Sequence, residues 1–132
     1  MKVVLQRVKN SSVTIDGQIF SEIQKGFMLL VGVEKGDTIE SAKWLADKII
    51  KLRVFEDENN KMNHSIVDVQ GEILVISQFT LAGNCKKGTR PSFDNAEHPQ
   101  IAKKLYEFAK SKNNIEILGC LAKISGFPMP EE

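Results

Sequence analysis

Apolar and polar positions alternate in short runs along the first third of the chain, which predicts strands joined by tight turns. Residues 2–8 are rich in β-branched side chains and indicate a first strand. Alternating runs flank Asp16-Gly17, a pair that favours a type I′ turn because glycine accepts a positive φ. Residues 11–23 are therefore predicted to form a hairpin. Residues 26–33 are apolar without interruption, as is typical of a strand buried on both faces.

Two later stretches show the three- and four-residue apolar spacing of an amphipathic helix. The first covers residues 38–52, where Asp37 or Thr38 can cap the first turn. The second covers residues 96–112 and carries Pro99 in its first turn, where the missing N–H of proline has no cost. Two main helices are therefore predicted.

The strongest strand signal lies at residues 72–81, and residues 114–118 form the last clear strand. Strands outnumber helices, hairpins come early, and the chain has no linker or repeat. These features predict an α+β fold with a mostly antiparallel, barrel-like sheet and two main helices, in a single domain that spans residues 1–132.

Composition narrows the class of protein. The chain has 132 residues, of which 42% are hydrophobic and 27% charged, the balance of an ordinary globular domain. The net charge is +1, so binding to a polyanion would require a local basic patch. The two cysteines match no metal or redox spacing and favour a reducing compartment. No signal peptide or membrane span is evident, so we expect a cytoplasmic protein without a membrane partner.

Few side chains offer hydrolytic or metal chemistry. His64 and His98 stand in no metal-ligand pattern, and no carboxylate pair or phosphate-binding glycine motif is present. Cys85 lies beside two lysines but has no histidine base, which argues against a cysteine nucleophile.

The strongest strand signal ends in residues 77–80, three of which are polar. If the strand continues, Ser77 and Phe79 share one face while Gln78 and Thr80 share the other. The hydroxyls can bond to the backbone at a strand end, or they can belong to a site. Burying a hydroxyl without a partner costs about 1–3 kcal/mol, so a backbone group, water or a ligand must satisfy each one.

A basic loop comes next, at residues 82–93. It contains Lys86, Lys87 and Arg90, has no acidic residue, and ends at Phe93. Cations beside an aromatic ring suit a phosphate backbone and a stacked base, although a solvated loop fits the same composition.

SQFTL followed by KKGTRPSF, with MKVVLQRV opening the chain, resembles the D-aminoacyl-tRNA deacylase family. The match runs from Met1 to about Leu118 and includes GDT before the first helix and LRVFED after it. The resemblance implies hydrolysis of the ester that joins a D-amino acid, or glycine, to the terminal adenosine of tRNA. It further implies a homodimer with active sites at the interface and a reaction that needs no metal or cofactor.

The resemblance also implies roles for individual residues. Thr80 and Gln78 are the catalytic candidates, while Ser77, Phe79 and Arg7 are substrate-binding candidates. Arg7 fits a surface cation equally well. The aminoacyl ester is already activated, and the neighbouring ribose hydroxyl can help to activate water. Main-chain N–H groups near Phe79 and Thr80 can then stabilise the oxyanion, at about 2.7–4 kcal/mol for one good donor.

The basic loop supplies the tRNA-binding candidates: Lys86, Lys87, Arg90 and Phe93. The C-terminus departs from the family pattern, which ends in Asn-x-Gly-Pro-Val-Thr and excludes L-amino acids through its Gly-Pro pair. Here Gly126 and Pro128 are separated by another residue and are candidate remnants of that motif, within a divergent tail at residues 119–132. The alternative is therefore a non-catalytic module of the same fold that binds tRNA or a protein and has an incomplete pocket.

Overall fold

The alternating runs form strands and the helical spacings form helices in the computed structural model, which describes residues 1–112 and 121–124. The strands are β1 (Lys2–Val8), β2 (Ser11–Ile15), β3 (Gln18–Ile23), β4 (Gly26–Gly32), β5 (Phe55–Glu56), β6 (Met62–His64), β7 (Glu72–Ser77) and β8 (Leu121–Ile124). The helices are α1 (Ile39–Lys51) and α2 (Pro99–Lys112), and a 3₁₀ turn at Phe79–Ala82 follows β7.

A four-stranded sheet in the order β1-β4-β7-β8 is the main sheet of the described part. β1 pairs with β4 antiparallel, whereas the β4–β7 and β7–β8 pairs are parallel. The hairpins β2–β3 and β5–β6 add two antiparallel pairs. The predicted α+β class with two main helices is confirmed. The described strands form this mixed sheet and two hairpins, and no closed barrel is seen among them.

The two faces of the sheet bury separate apolar clusters. On one face, alternate side chains of β4 and β7 pack with Ile49 of α1 and Phe55 of β5. On the other face, Leu74 of β7 packs against Val13 and Ile23 of the β2–β3 hairpin. Burial of each such side chain stabilises the fold by about 1.5–3 kcal/mol, so the alternation along β7 fixes its position between the two layers.

The N-terminus of α1 is capped by Thr38. Its hydroxyl accepts a hydrogen bond from the Ser41 N–H at 3.4 Å, and the Ser41 hydroxyl accepts one from the Thr38 N–H at 3.2 Å. Asp37, the other predicted cap, instead accepts from the α-amino group of Met1 at 2.6 Å and from the Glu34 N–H at 2.7 Å. Asp37 therefore joins the N-terminus to the segment between β4 and α1.

Two turn predictions are confirmed by the backbone. Asp16 and Gly17 have φ of 50° and 78°, as a type I′ turn requires. α2 begins at Pro99, the residue predicted for its first turn. The predicted strand at residues 114–118 lies outside the described residues. Within the described ranges, neither helix has the length and apolar character needed to cross a membrane.

Candidate active site

The strand β7 ends at Ser77, and the chain turns at once into the 3₁₀ turn Phe79–Ala82. Gly32, the last residue of the neighbouring strand β4, permits this change of direction. A Cβ atom at Gly32 would lie 2.9 Å from both the Gln78 carbonyl oxygen and the Leu81 Cβ. Because glycine has no such atom, the turn packs directly against the end of β4.

The predicted strand at residues 72–81 is therefore too long. Residues 79–82 do not alternate between the two faces of the sheet, so the expected pairing of Ser77 with Phe79 and of Gln78 with Thr80 is wrong. Leu81 made the strand look longer in the sequence because it is apolar. In the structure it packs against Gly32 at the end of β4.

The turn presents two main-chain N–H groups that are not used by the sheet. The Gln78 N–H donates to the Val31 carbonyl oxygen at 2.7 Å and ties the turn to β4. The Leu81 N–H donates to the Gln78 carbonyl oxygen at 3.3 Å and closes the turn. The N–H groups of Phe79 and Thr80 begin the turn, where helical geometry offers no acceptor. Neither has a hydrogen-bond partner within the described part of the chain.

The side chains of Gln78 and Thr80 are joined. The Gln78 Nε2 atom donates a hydrogen bond to the Thr80 Oγ1 atom. Since this bond occupies a lone pair of the hydroxyl, the hydroxyl hydrogen of Thr80 stays available for a ligand. Thr80 is exposed and Gln78 is half-buried, so the pair lies at the surface beside the two N–H groups.

The basic loop returns to the turn through Phe93. The rings of Phe79 and Phe93 meet edge to face with their centroids 5.7 Å apart, and their exposed fractions are 37% and 40%. Asn84 and Ser92 close the base of the loop with two main-chain hydrogen bonds of 2.7 and 2.8 Å. A Cβ atom at Gly83 would lie 3.0 Å from the Phe93 ring, so this close approach also depends on glycine.

The three cations lie on the outer part of this loop. Lys86, Lys87 and Arg90 are exposed, and none forms an ion pair with another described residue. Gly88, between them, has a φ of 65°, which turns the loop back on itself. The arrangement leaves their charges available to an anionic ligand.

Arg7 lies away from the turn. It pairs with Phe27 on β4, which pairs with Ile73 on β7, whereas the turn follows Ser77. Four residues along a strand separate the two places by about 13 Å, at about 3.3 Å per residue. The Arg7 guanidinium lies 3.9 Å from the carboxylate of Glu56. A single chain thus does not bring Arg7 to the other candidates.

Gly126 and Pro128, the candidate remnants of the Gly-Pro motif, lie outside the described residues. In the described part, no group of three or more His, Cys, Asp or Glu side chains is placed to hold a metal ion. Gly32, Asn84 and Ser92, which shape the turn and close the loop, were not predicted from the sequence. Gly32 ends β4, whereas Asn84 and Ser92 are paired only through the main-chain hydrogen bonds of the folded loop.

Comparisons with known proteins identify the family. The family model described as D-Tyr-tRNA(Tyr) deacylase matches residues 4–118. The D-aminoacyl-tRNA deacylase of Geotalea daltonii is 53% identical over 112 residues, which cover 85% of this chain and 75% of the relative. That of Clostridium beijerinckii is 59% identical over 107 residues, covering 81% of this chain and 72% of the relative.

Two solved structures have a similar fold. A structure described as c-Myc DNA Unwinding Element Binding Protein has a TM-score of 0.86 and 38% identity, and covers 96% of this chain and 85% of its own. A probable eukaryotic D-amino acid tRNA deacylase has a TM-score of 0.70 at 16% identity, over 86% of this chain and 66% of its own, which shows the fold alone. The chain belongs to the D-Tyr-tRNA(Tyr) deacylase family.

Proposed function

We propose that this protein hydrolyses the ester bond of D-aminoacyl-tRNA and releases the free D-amino acid and tRNA. Family membership supports the reaction class. The observation that carries the mechanism is the pair of main-chain N–H groups at Phe79 and Thr80, which have no partner in the described part of the chain.

In the proposed mechanism, the turn stabilises the charge that develops on the ester. A water oxygen bonds to the ester carbonyl carbon, and the carbonyl oxygen becomes an oxyanion that the Phe79 and Thr80 N–H groups bind. The ester C–O bond then breaks, one proton of the water passes to the ribose oxygen and the other to solvent, and the amino acid leaves as a carboxylate. Each good oxyanion donor contributes about 2.7–4 kcal/mol, or about 10²–10³ in rate.

The side chains around the turn assist this step. The Gln78 amide directs the Thr80 hydroxyl, whose hydrogen provides a further donor beside the oxyanion. The ribose hydroxyl next to the ester helps to orient the water. Ser77, half-buried at the end of β7, contributes to the wall that receives the amino acid.

The basic loop is proposed to hold the end of the tRNA. Lys86, Lys87 and Arg90 are exposed cations that suit backbone phosphates, and the partly exposed rings of Phe79 and Phe93 suit a stacked base. Glycyl-tRNA is a second proposed substrate, because glycine has no side chain on which chiral exclusion can act. Gly126 and Pro128 stay candidate remnants of the Gly-Pro motif and are not assigned that exclusion.

A homodimer is proposed on the strength of a partly open sheet face. Val4 of β1 is 48% exposed, and its register partner Leu30 on β4 is only half-buried. Leu30 pairs in turn with Ile76, which precedes the candidate site on β7. A second copy that covers this face would reach the site. Since Arg7 is distant from the turn of its own chain, we propose that it contacts substrate only through the dimer.

The direct test is release of D-tyrosine from D-Tyr-tRNA by the purified full chain, with L-Tyr-tRNA as the matched substrate. We expect hydrolysis of the D-substrate that a chelator does not change. The cytoplasm, where tRNA is charged, is the proposed location. A folded protein that binds tRNA without turnover would reject the enzyme and favour the non-catalytic module.

A further inference from the structure

The segment that leads from the basic loop to α2 runs beside the chain after β4. Glu34 and Ala96 form an antiparallel bridge. The Lys35 N–H donates to the Asn95 carbonyl oxygen at 2.9 Å, and the Glu97 N–H donates to the Val33 carbonyl oxygen at 3.0 Å. These main-chain bonds hold the segment against the residues that directly follow β4, the strand whose last residue, Gly32, packs against the turn.

One side-chain contact strengthens this attachment. The Asn95 Nδ2 atom donates to the Glu34 Oε2 atom at 2.6 Å, across 61 residues of sequence. Glu34 is a fixed acceptor, because its side chain is only 18% exposed and the Met1 α-amino group and Lys2 lie within 3.7 Å of it. Its own N–H is bound by Asp37 at 2.7 Å.

Asn95 is also close to the aromatic pair of the site. The Ala96 N–H donates to the Phe93 carbonyl oxygen at 2.9 Å, so residues 93–96 form a tight turn. Phe93 begins that turn, and its ring rests on Phe79. Movement of Asn95 should therefore also displace Phe93 and Ser92, the residue at the base of the basic loop.

We infer that Asn95 and Glu34 are positioning residues, which act on substrate binding by holding Phe93 and the basic loop in place. The inference rests on the proposed function of that loop. The turn that carries the Phe79 and Thr80 N–H groups is held separately, by the hydrogen bond from the Gln78 N–H to Val31 and by the packing of Gln78 and Leu81 against Gly32. Loss of the Asn95 contact should therefore weaken substrate binding and leave the chemical step intact.

The kinetic test uses the full chain with D-Tyr-tRNA. Asn95→Ala should raise KM about threefold to tenfold, the range that corresponds to the loss of one ordinary hydrogen bond, with kcat unchanged. Asn95→Asp alone places two carboxylates together and should raise KM further. Combining Asn95→Asp with Glu34→Gln restores the hydrogen bond in the opposite direction, with the donor at position 34 and the acceptor at position 95. This double variant should return KM toward the wild-type value.

A second readout does not require activity. Trypsin cleaves after Lys86 and Lys87, and we expect Asn95→Ala to accelerate these cleavages several-fold, whereas cleavage after Lys61, in a separate turn, keeps its rate. An inactive wild type would refute the proposed function, and trypsin would then still decide whether the contact holds the loop. Unchanged cleavage at both loop lysines, or faster cleavage with no change in the KM of an active enzyme, would overturn the inference. A double variant as impaired as Asn95→Asp would also overturn it.

Discussion

Replacing Gly32 by alanine tests the site through the backbone without touching a candidate side chain. Gly32 is not one of the glycines with positive φ, so the β4 backbone accepts alanine. The added Cβ atom would lie 2.9 Å from the Gln78 carbonyl oxygen and 2.9 Å from the Leu81 Cβ. The Gln78 carbonyl is the acceptor that closes the turn, so the clash falls on the group that orients the two N–H donors.

The magnitude follows from the size of that displacement. Ordinary contacts of a Cβ atom begin at 3.4 Å, so the turn must move by 3.4 − 2.9, or 0.5 Å. Overpacking of this kind costs about 1–3 kcal/mol of unfolding free energy. A misplacement of about 1 Å costs about 10²-fold in rate, and half that distance predicts about a tenfold fall in kcat.

The assay is single-turnover hydrolysis of D-Tyr-tRNA, with stability measured by urea unfolding. Ile66→Val is the matched control, because Ile66 is fully buried near the start of β7 and its substitution costs about 0.5–1.5 kcal/mol. We expect Ile66→Val to keep the wild-type kcat at urea concentrations below those that unfold it. Gly32→Ala should have a lower kcat although it remains folded. Equal kcat for both variants would show that the position of the turn does not control the reaction.

Three further results are expected. Lys86→Ala should reduce the slope of log Kd for tRNA against log salt by about 0.7, the value for one phosphate contact on a single strand, and an unchanged slope would remove Lys86 from the interface. Val4→Lys should convert a dimer to a monomer in sedimentation and abolish activity, whereas Ile19→Lys, on the hairpin, should do neither. Hydrogen bonds from the N–H groups of Lys61 and then Asn59 hold the pKa of Asp57 below its ordinary value. That stabilisation is present above the unfolded pKa and is lost as pH falls through the folded pKa, so urea unfolding of Asp57→Ala should depend less on pH below about 4.

Local signals were enough to predict most of the described fold. The Asp16-Gly17 pair specified the first hairpin, and the spacing of apolar residues specified both helices. These elements were predictable because their causes lie within a few residues of one another. The resemblance in SQFTL and the basic loop identified the family, which the matches confirm.

Features that depend on distant residues could not be predicted. The apolar Leu81 made the strand at residues 72–81 look continuous, but Gly32 on another strand lets the turn form at Phe79. The register of β1 with β4 places Arg7 at the other end of the sheet from the turn, so its predicted contact with substrate depends on a second copy of the chain. The Asn95–Glu34 contact joins residues 61 positions apart, and nothing near either residue signals it.

The central claim is that main-chain N–H groups at the turn stabilise the oxyanion. Phe79→Pro removes one of these donors, and Phe79→Ala is its control, since both remove the ring but only proline removes the N–H. Proline fits the first position of a helical turn, and Gln78 before it, with φ of −144° and ψ of 88°, lies outside the α region that a following proline disfavours. We predict that kcat for D-Tyr-tRNA is about 10²–10³ lower for the proline variant than for the alanine variant. Equal kcat for two folded variants would contradict the claim.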